Sequence, residues 1–152
     1  MEIYNTLVQE LLAAAARMED IEMELSDLQL ALLEDHEEVE VYTDEIADCC
    51  DRIGAIDDFV SEIDAGHVPA IADLASVVSN MAEEREDEEA MLQRLGEVRA
   101  CHEQQIQHMT SKLTTLQEER LLLQKKSAHV WCALHRTGVL KLRLVEPHVK
   151  VV

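Results

Sequence analysis

The sequence predicts an all-α fold, a long antiparallel coiled-coil helical hairpin with a short C-terminal tail that alternates like β-strand. Three observations carry this. Apolar residues recur every three or four positions along two long stretches. The helical pattern breaks once near the middle, in IDAGHVPAIADL at 63–74. Only 4 glycines and 2 prolines are available for other turns among 152 residues, and the aromatic content of 3% is too low for the usual compact core. The expected elements are a first helix at 1–65, a turn at 66–69, a second helix at 70–136 and a basic tail at 137–152.

The first helix is read from its seam. Tyr4, Leu7, Leu11, Ala14, Met18, Ile21, Leu25, Leu28 and Leu32 follow at alternating steps of three and four. Asp35, Val39, Tyr42, Ile46, Cys49, Ile53, Ile56, Val60 and Ile63 continue the series without a stutter. A 3.5-residue period keeps one stripe of a helix facing a partner helix, which is the rule of coiled coils. Asp35 is the one charged member.

The turn follows from Gly66, which can take the left-handed conformation that ends a helix, and from Pro69, which suits only the first turn of a new one. The second helix repeats the period, with Ile71, Leu74, Val78, Met81, Leu92, Leu95, Ile106, Met109, Leu113, Leu116, Leu123, Val130 and Leu134. Arg85, Glu88, Arg99, His102, Arg120 and Ser127 interrupt it. Folding at His67 sets Leu25 opposite Met109, Ile21 opposite Leu113 and Asp35 opposite Arg99, with Leu32 opposite His102. Asp35, Arg99 and His102 are therefore expected to form a polar layer that fixes register. The same register sets Ile46 against Glu88 and Cys49 against Arg85, a poor core. Each arm would run about 90 Å at roughly 1.5 Å per residue. The tail is read as strand-like from Leu140, Leu142 and Leu144 alternating with Lys141 and Arg143. Such a segment could add to a partner's sheet edge.

A second apolar stripe lies off the seam. Leu12, Ala16, Met23, Leu30 and Leu33 mark the outer face of the first helix, and Leu121, Leu122 and Trp131 enrich the second near the same end. A helix apolar on two faces is usually buried on both. Leu12, Met23, Leu30, Leu33, Leu121, Leu122, Trp131, Leu140, Leu142 and Leu144 are the expected partner-binding residues. The partners would be other helical or coiled-coil proteins in a hetero-oligomer, with a homodimer as the alternative. An intramolecular hairpin and a domain-swapped dimer share the same seam.

Charge and motifs narrow the chemistry. Acids outnumber bases 32 to 13, for a net charge of −19. Residues 1–68 hold 20 of the acids and only Arg17 and Arg52 as bases, whereas from Arg120 onward bases dominate. This argues against nucleic acid as a partner. No apolar run approaches the roughly 20 residues of a membrane span, and MEIYNTLVQELL lacks the marks of a secretory leader. Cys49, Cys50, Cys101 and Cys132 have no disulfide spacing, which fits a reducing compartment, cytoplasmic or nuclear. No P-loop, dinucleotide, zinc-protease or nucleophile motif occurs, so neither an enzyme nor a cofactor is expected. His129, Cys132 and His135 share a broad helix face and are weak candidates for a metal site, short of the four ligands of structural zinc.

In composition the helices resemble small coiled-coil subunits of kinetochore, augmin, intraflagellar-transport, dynactin-shoulder and lysosome-organelle biogenesis complexes. The resemblance covers the helices alone and carries over no residue roles. The functional expectation is a non-enzymatic scaffold or spacer subunit of a multiprotein assembly, cytoskeletal or chromosome-segregating first, membrane-trafficking or intracellular transport second. A metal- or redox-responsive regulator is the remaining alternative. The expected location is cytoplasmic and cytoskeleton-associated, or nuclear.

Overall fold

The computed structural model describes residues 2–67 and 73–136. These form two α-helices of 63 residues each, α1 (Glu2–Asp64) and α2 (Leu74–Arg136), packed against each other as a helical hairpin. The expected tail, with Leu140, Leu142 and Leu144, lies outside the described residues, as do Val68, Pro69 and Ile71.

Helices this long are held by their seam rather than by local propensity. Every seam position of α1 named above is buried or half-buried, as is every described seam position of α2. The residues between them face water, with few exceptions. Two compact units divide the chain, one from Met1–Ala31 with Met109–Val152, the other from Leu32–His108.

The unit that contains both helix ends has the apolar core. Ile21, Leu25 and Leu116 are buried together, with Leu28, Leu113 and Leu123 packed on them. Ala14, Val130 and Leu134 are also buried. Each large aliphatic side chain hidden in this way contributes on the order of 1.5–3 kcal/mol.

The second unit has a polar seam. Asp35 Oδ1 lies 2.8 Å from His102 Nδ1, and the Tyr42 ring stacks on the same imidazole at 5.6 Å between centroids. Arg99 instead pairs along its own helix with Glu103. Similarly, Glu88, not Arg85, is the residue opposite Cys49. In both places α2 stands three residues further along than expected.

The described helix ends agree with the shift. α2 opens at Leu74, four residues beyond the expected start at 70, and Asp73 occupies its N-cap position, its carbonyl accepting the Val77 N–H at 3.1 Å. The midpoint between the two helices therefore falls near residue 69 and not at His67. Moving that midpoint slides α2 by about one helical turn while leaving the same stripe in the seam.

Gly66 ends α1 as anticipated. Its φ is 74°. Its N–H bonds the Ile63 carbonyl at 3.0 Å, and the His67 N–H bonds the Glu62 carbonyl at 3.1 Å. These are the two bonds of a Schellman motif, which satisfies carbonyls that a helix end leaves open. α1 has no basic residue in its last turn, so these bonds do that work alone. α2 ends with Arg136, whose charge suits the negative end of a helix dipole.

Gly54, inside α1, makes a clean comparison with Gly66. A Cβ at Gly54 or at Gly66 would meet nothing within 4 Å. Only backbone preference then decides. Gly66→Ala should lower stability by about 1 kcal/mol or more, and Gly54→Ala should raise it by about 1 kcal/mol. Urea unfolding followed by circular dichroism checks both signs.

The Asp35–His102 layer also makes a prediction. Asp35→Leu and His102→Leu should each destabilise by leaving a half-buried polar partner unpaired. The double variant should recover about 1 kcal/mol or more relative to the sum. Additive losses in the cycle would remove the pair from the forces that set register.

Candidate functional site

The outer stripe is exposed where the seam is not. Leu12 and Met23 are each 65% exposed, Leu30 60%, Leu122 65% and Trp131 46%. Leu33 and Leu121 are also exposed. Leu12, Met23, Leu30, Leu121, Leu122 and Trp131 belong to the unit that holds both helix ends, whereas Leu33 belongs to the other. Ile3, Val41, Met91 and Val98 are further exposed apolar residues that periodicity did not single out. They lie one or two positions off the seam, where a pattern search counts them as seam neighbours.

An ion pair fixes this unit from the opposite flank. With seam residues Tyr4 at heptad position a and Leu74 at d, Arg17 sits at g of α1 and Glu119 at g of α2. The guanidinium donates to both carboxylate oxygens, Nε to Oε1 at 2.7 Å and Nη2 to Oε2 at 3.0 Å. Nη1 donates to Glu24 Oε1 at 3.2 Å. This bidentate geometry is the strong form of an arginine–carboxylate contact. It holds the Glu119 carboxyl below its ordinary range and the Arg17 guanidinium above its own. Sequence reasoning missed the pair. Its signal was the isolation of Arg17 in an acidic helix.

Arg52, the other cation of α1, is engaged in the turn unit. Its Nε donates to Glu88 Oε1 at 2.8 Å. The Cys49 thiol, fully buried, lies 3.1 Å from both the Glu88 carbonyl and Glu88 Oε2. These donors lower the Glu88 carboxyl, Arg52 first and Cys49 second. Burial, then Glu88, pushes the Cys49 thiol up, so the thiolate that nucleophilic or redox chemistry needs is disfavoured. Arg85 completes the network. It donates to both oxygens of Asp57, Nε at 2.7 Å and Nη2 at 3.2 Å, and also binds Glu89. The poor core expected around Arg85 and Glu88 is therefore held by two interhelical ion pairs, Arg52 with Glu88 and Arg85 with Asp57.

Among the described residues no three His, Cys, Asp or Glu side chains converge as metal ligands. His129, Cys132 and His135 stay along the surface of α2. Cys132 and His135 line an open groove of about 350 Å³ with Trp131 and Arg136. A similar groove of about 360 Å³ runs between Arg52, Ala55, Ile56, Glu84, Asp87 and Glu88. Its Glu88 and Arg52 are already bonded to each other. No described helix is long and apolar enough to cross a membrane.

No protein-family model, curated protein or solved structure matches this chain. The surface has to be interpreted from its own chemistry.

The Arg17–Glu119 contact predicts a pH signature. The folded-state pKa of Glu119 lies below its unfolded value, so its contribution is present above about pH 4.5 and is lost as pH falls through the depressed folded value. Glu119→Gln should lower the melting temperature at pH 7. The difference from the parent chain should shrink toward zero at acid pH. Melting curves of both chains across that range test this directly.

Proposed function

We propose that this chain is a non-enzymatic coiled-coil subunit that holds other proteins at fixed spacing through helix–helix packing. One observation carries the reading. The face of α1 bearing Leu12, Met23 and Leu30 is exposed although its opposite face is already committed to α2. Isolated surface leucines are ordinary. A second stripe repeated at helical spacing on one helix is not, because helices apolar on two faces usually pack on two sides.

The chemistry present supports a binding role. The buried thiol is a hydrogen-bond donor, and Glu88, Asp57 and Glu119 are held by arginines. Partners are helical proteins, and the process is assembly of a multiprotein machine, cytoskeletal or chromosome-segregating before membrane-trafficking. The cytoplasm, including the cytoskeleton, is the proposed location, with the nucleus as second choice.

The test is affinity purification of the tagged full chain from its native cell, with co-purifying proteins identified by mass spectrometry. A small stoichiometric set of helical proteins is expected. Leu30→Glu should leave helicity unchanged and remove that set. Recovery of the chain with no other protein would overturn the subunit reading. A loss of helicity would place Leu30 in this chain's own core.

A further inference from the structure

Charge is unevenly shared between the two flanks of the helix-end unit. In an antiparallel pair g lies beside g and e beside e, as the Arg17–Glu119 contact shows. Positions g and c of both helices therefore form one flank, and e and b the other. Over 2–31 and 109–136 the g and c positions carry nine charges, Arg17 and Glu119 among them. On the e and b flank the only Asp, Glu, Lys or Arg residues are Glu19 and Glu22. Both are exposed, and neither has an ion-pair partner among the described residues.

The same flank exposes large apolar side chains. Leu121 at b and Trp131 at e are 52% and 46% exposed on α2, and Leu12 at b is 65% exposed on α1. Because Arg17 stands opposite Glu119, Leu12 falls at a level between Leu121 and Trp131. The three make one patch. Leucine and tryptophan without charge is the make-up of an interface centre. Its rim holds two carboxylates and no base, so the fitting occupant is apolar and basic. A second copy presenting this flank would bring the same carboxylates and no base.

A segment of that chemistry follows in the sequence. α2 ends at Arg136, just beyond Trp131. VLKLRLV at 139–145, outside the described residues, alternates Leu140, Leu142 and Leu144 with Lys141 and Arg143. We propose that this segment is the occupant. It runs back along the e and b flank of its own chain, leucines on Trp131, Leu12 and Leu121, bases toward Glu19 and Glu22. Period two sets the three leucines on one edge, and the long basic side chains lean over from the other. The reach suffices. At roughly 1.5 Å per residue, Leu121 lies about 22 Å back from Arg136 and the level of Glu19 about 28 Å. Residues 137–145, drawn out at roughly 3.3 Å each, cover about 30 Å. Gly138 permits the reversal that this path needs. The tether supplies an effective concentration on the order of millimolar, which favours this segment over an equal free one. Met23 and Leu30, at f, stay outside the patch for the partners proposed above. Failure of this inference would leave that reading untouched.

Trp131 is the only tryptophan of the chain and reports on the patch. The test is acrylamide quenching of its fluorescence in the purified full chain and in full-length variants, with helicity followed by circular dichroism. The Leu142→Asp/Leu144→Asp chain should be quenched about twofold or more strongly than the parent, because the indole loses its apolar cover. Lys141→Glu/Arg143→Glu should uncover Trp131 in the same way, and adding Glu19→Lys/Glu22→Lys should cover it again. Protection in the parent should not change on dilution. Equal quenching of the parent and the leucine variant would overturn the proposal. Protection lost on dilution would also overturn it, by assigning the cover to another copy. So would a combined charge exchange that keeps its helicity and leaves Trp131 uncovered.

Discussion

A pair of helices has one seam, and most side chains on it are partly in reach of water. That constraint governs the rest of the structure. The fully hidden large side chains are Ile21, Leu134 and Cys49, and most seam residues are only half-buried. Burial is therefore shallow, and desolvating a charge on the seam costs much less than in a deep core. This is why α2 can carry Arg85, Glu88, Arg99 and His102 at seam positions. Each has a bonded partner, and long side chains extend to the surface for the rest of their solvation. The apolar core of the helix-end unit and the ion-pair seam of the turn unit are two solutions to the same thin geometry.

Much of this was legible from the residues. The 3.5-residue period identified the seam of both helices, because the stripe facing a partner depends only on rotation about each helix axis. The outer stripe was legible for the same reason. Register was not. Sliding one helix by a turn returns the same stripe to the seam, so periodicity is nearly indifferent to the choice. Arg99 and His102 lie one turn apart on one face of α2, and either can be set opposite Asp35. What differs is where the two helices end and begin, which a glycine and a proline bracket only loosely in the sequence. The thiol of Cys49 was also unreadable, since its environment comes from Glu88 and Arg52, one on the distant helix.

The placement of arginine shows how an acidic helix is held. α1 carries only Arg17 and Arg52 as cations, and both reach across to a glutamate of α2. Arg85 reaches the other way to Asp57. Arginine can bind both oxygens of a carboxylate, which sets orientation as well as distance. Lysine occurs in neither helix at these contacts. All lysines of the described residues lie in α2 from Lys112 onward, where none has an ion-pair partner within the described residues.

The Schellman end of α1 bears on how the hairpin closes. Its bonds span at most five residues and need no help from α2. Beyond it, the cross-helix pairs widen in sequence separation, 28 for Asp57 with Arg85, 36 for Arg52 with Glu88, 67 for Asp35 with His102 and 102 for Arg17 with Glu119. Formed in that order, each pair closes only the short stretch beyond the one before, so chain entropy is lost in small steps. A hairpin that closed in that order would close its helix-end unit last. Its apolar core, richer than that of the turn unit, sits where the chain has the least topological help.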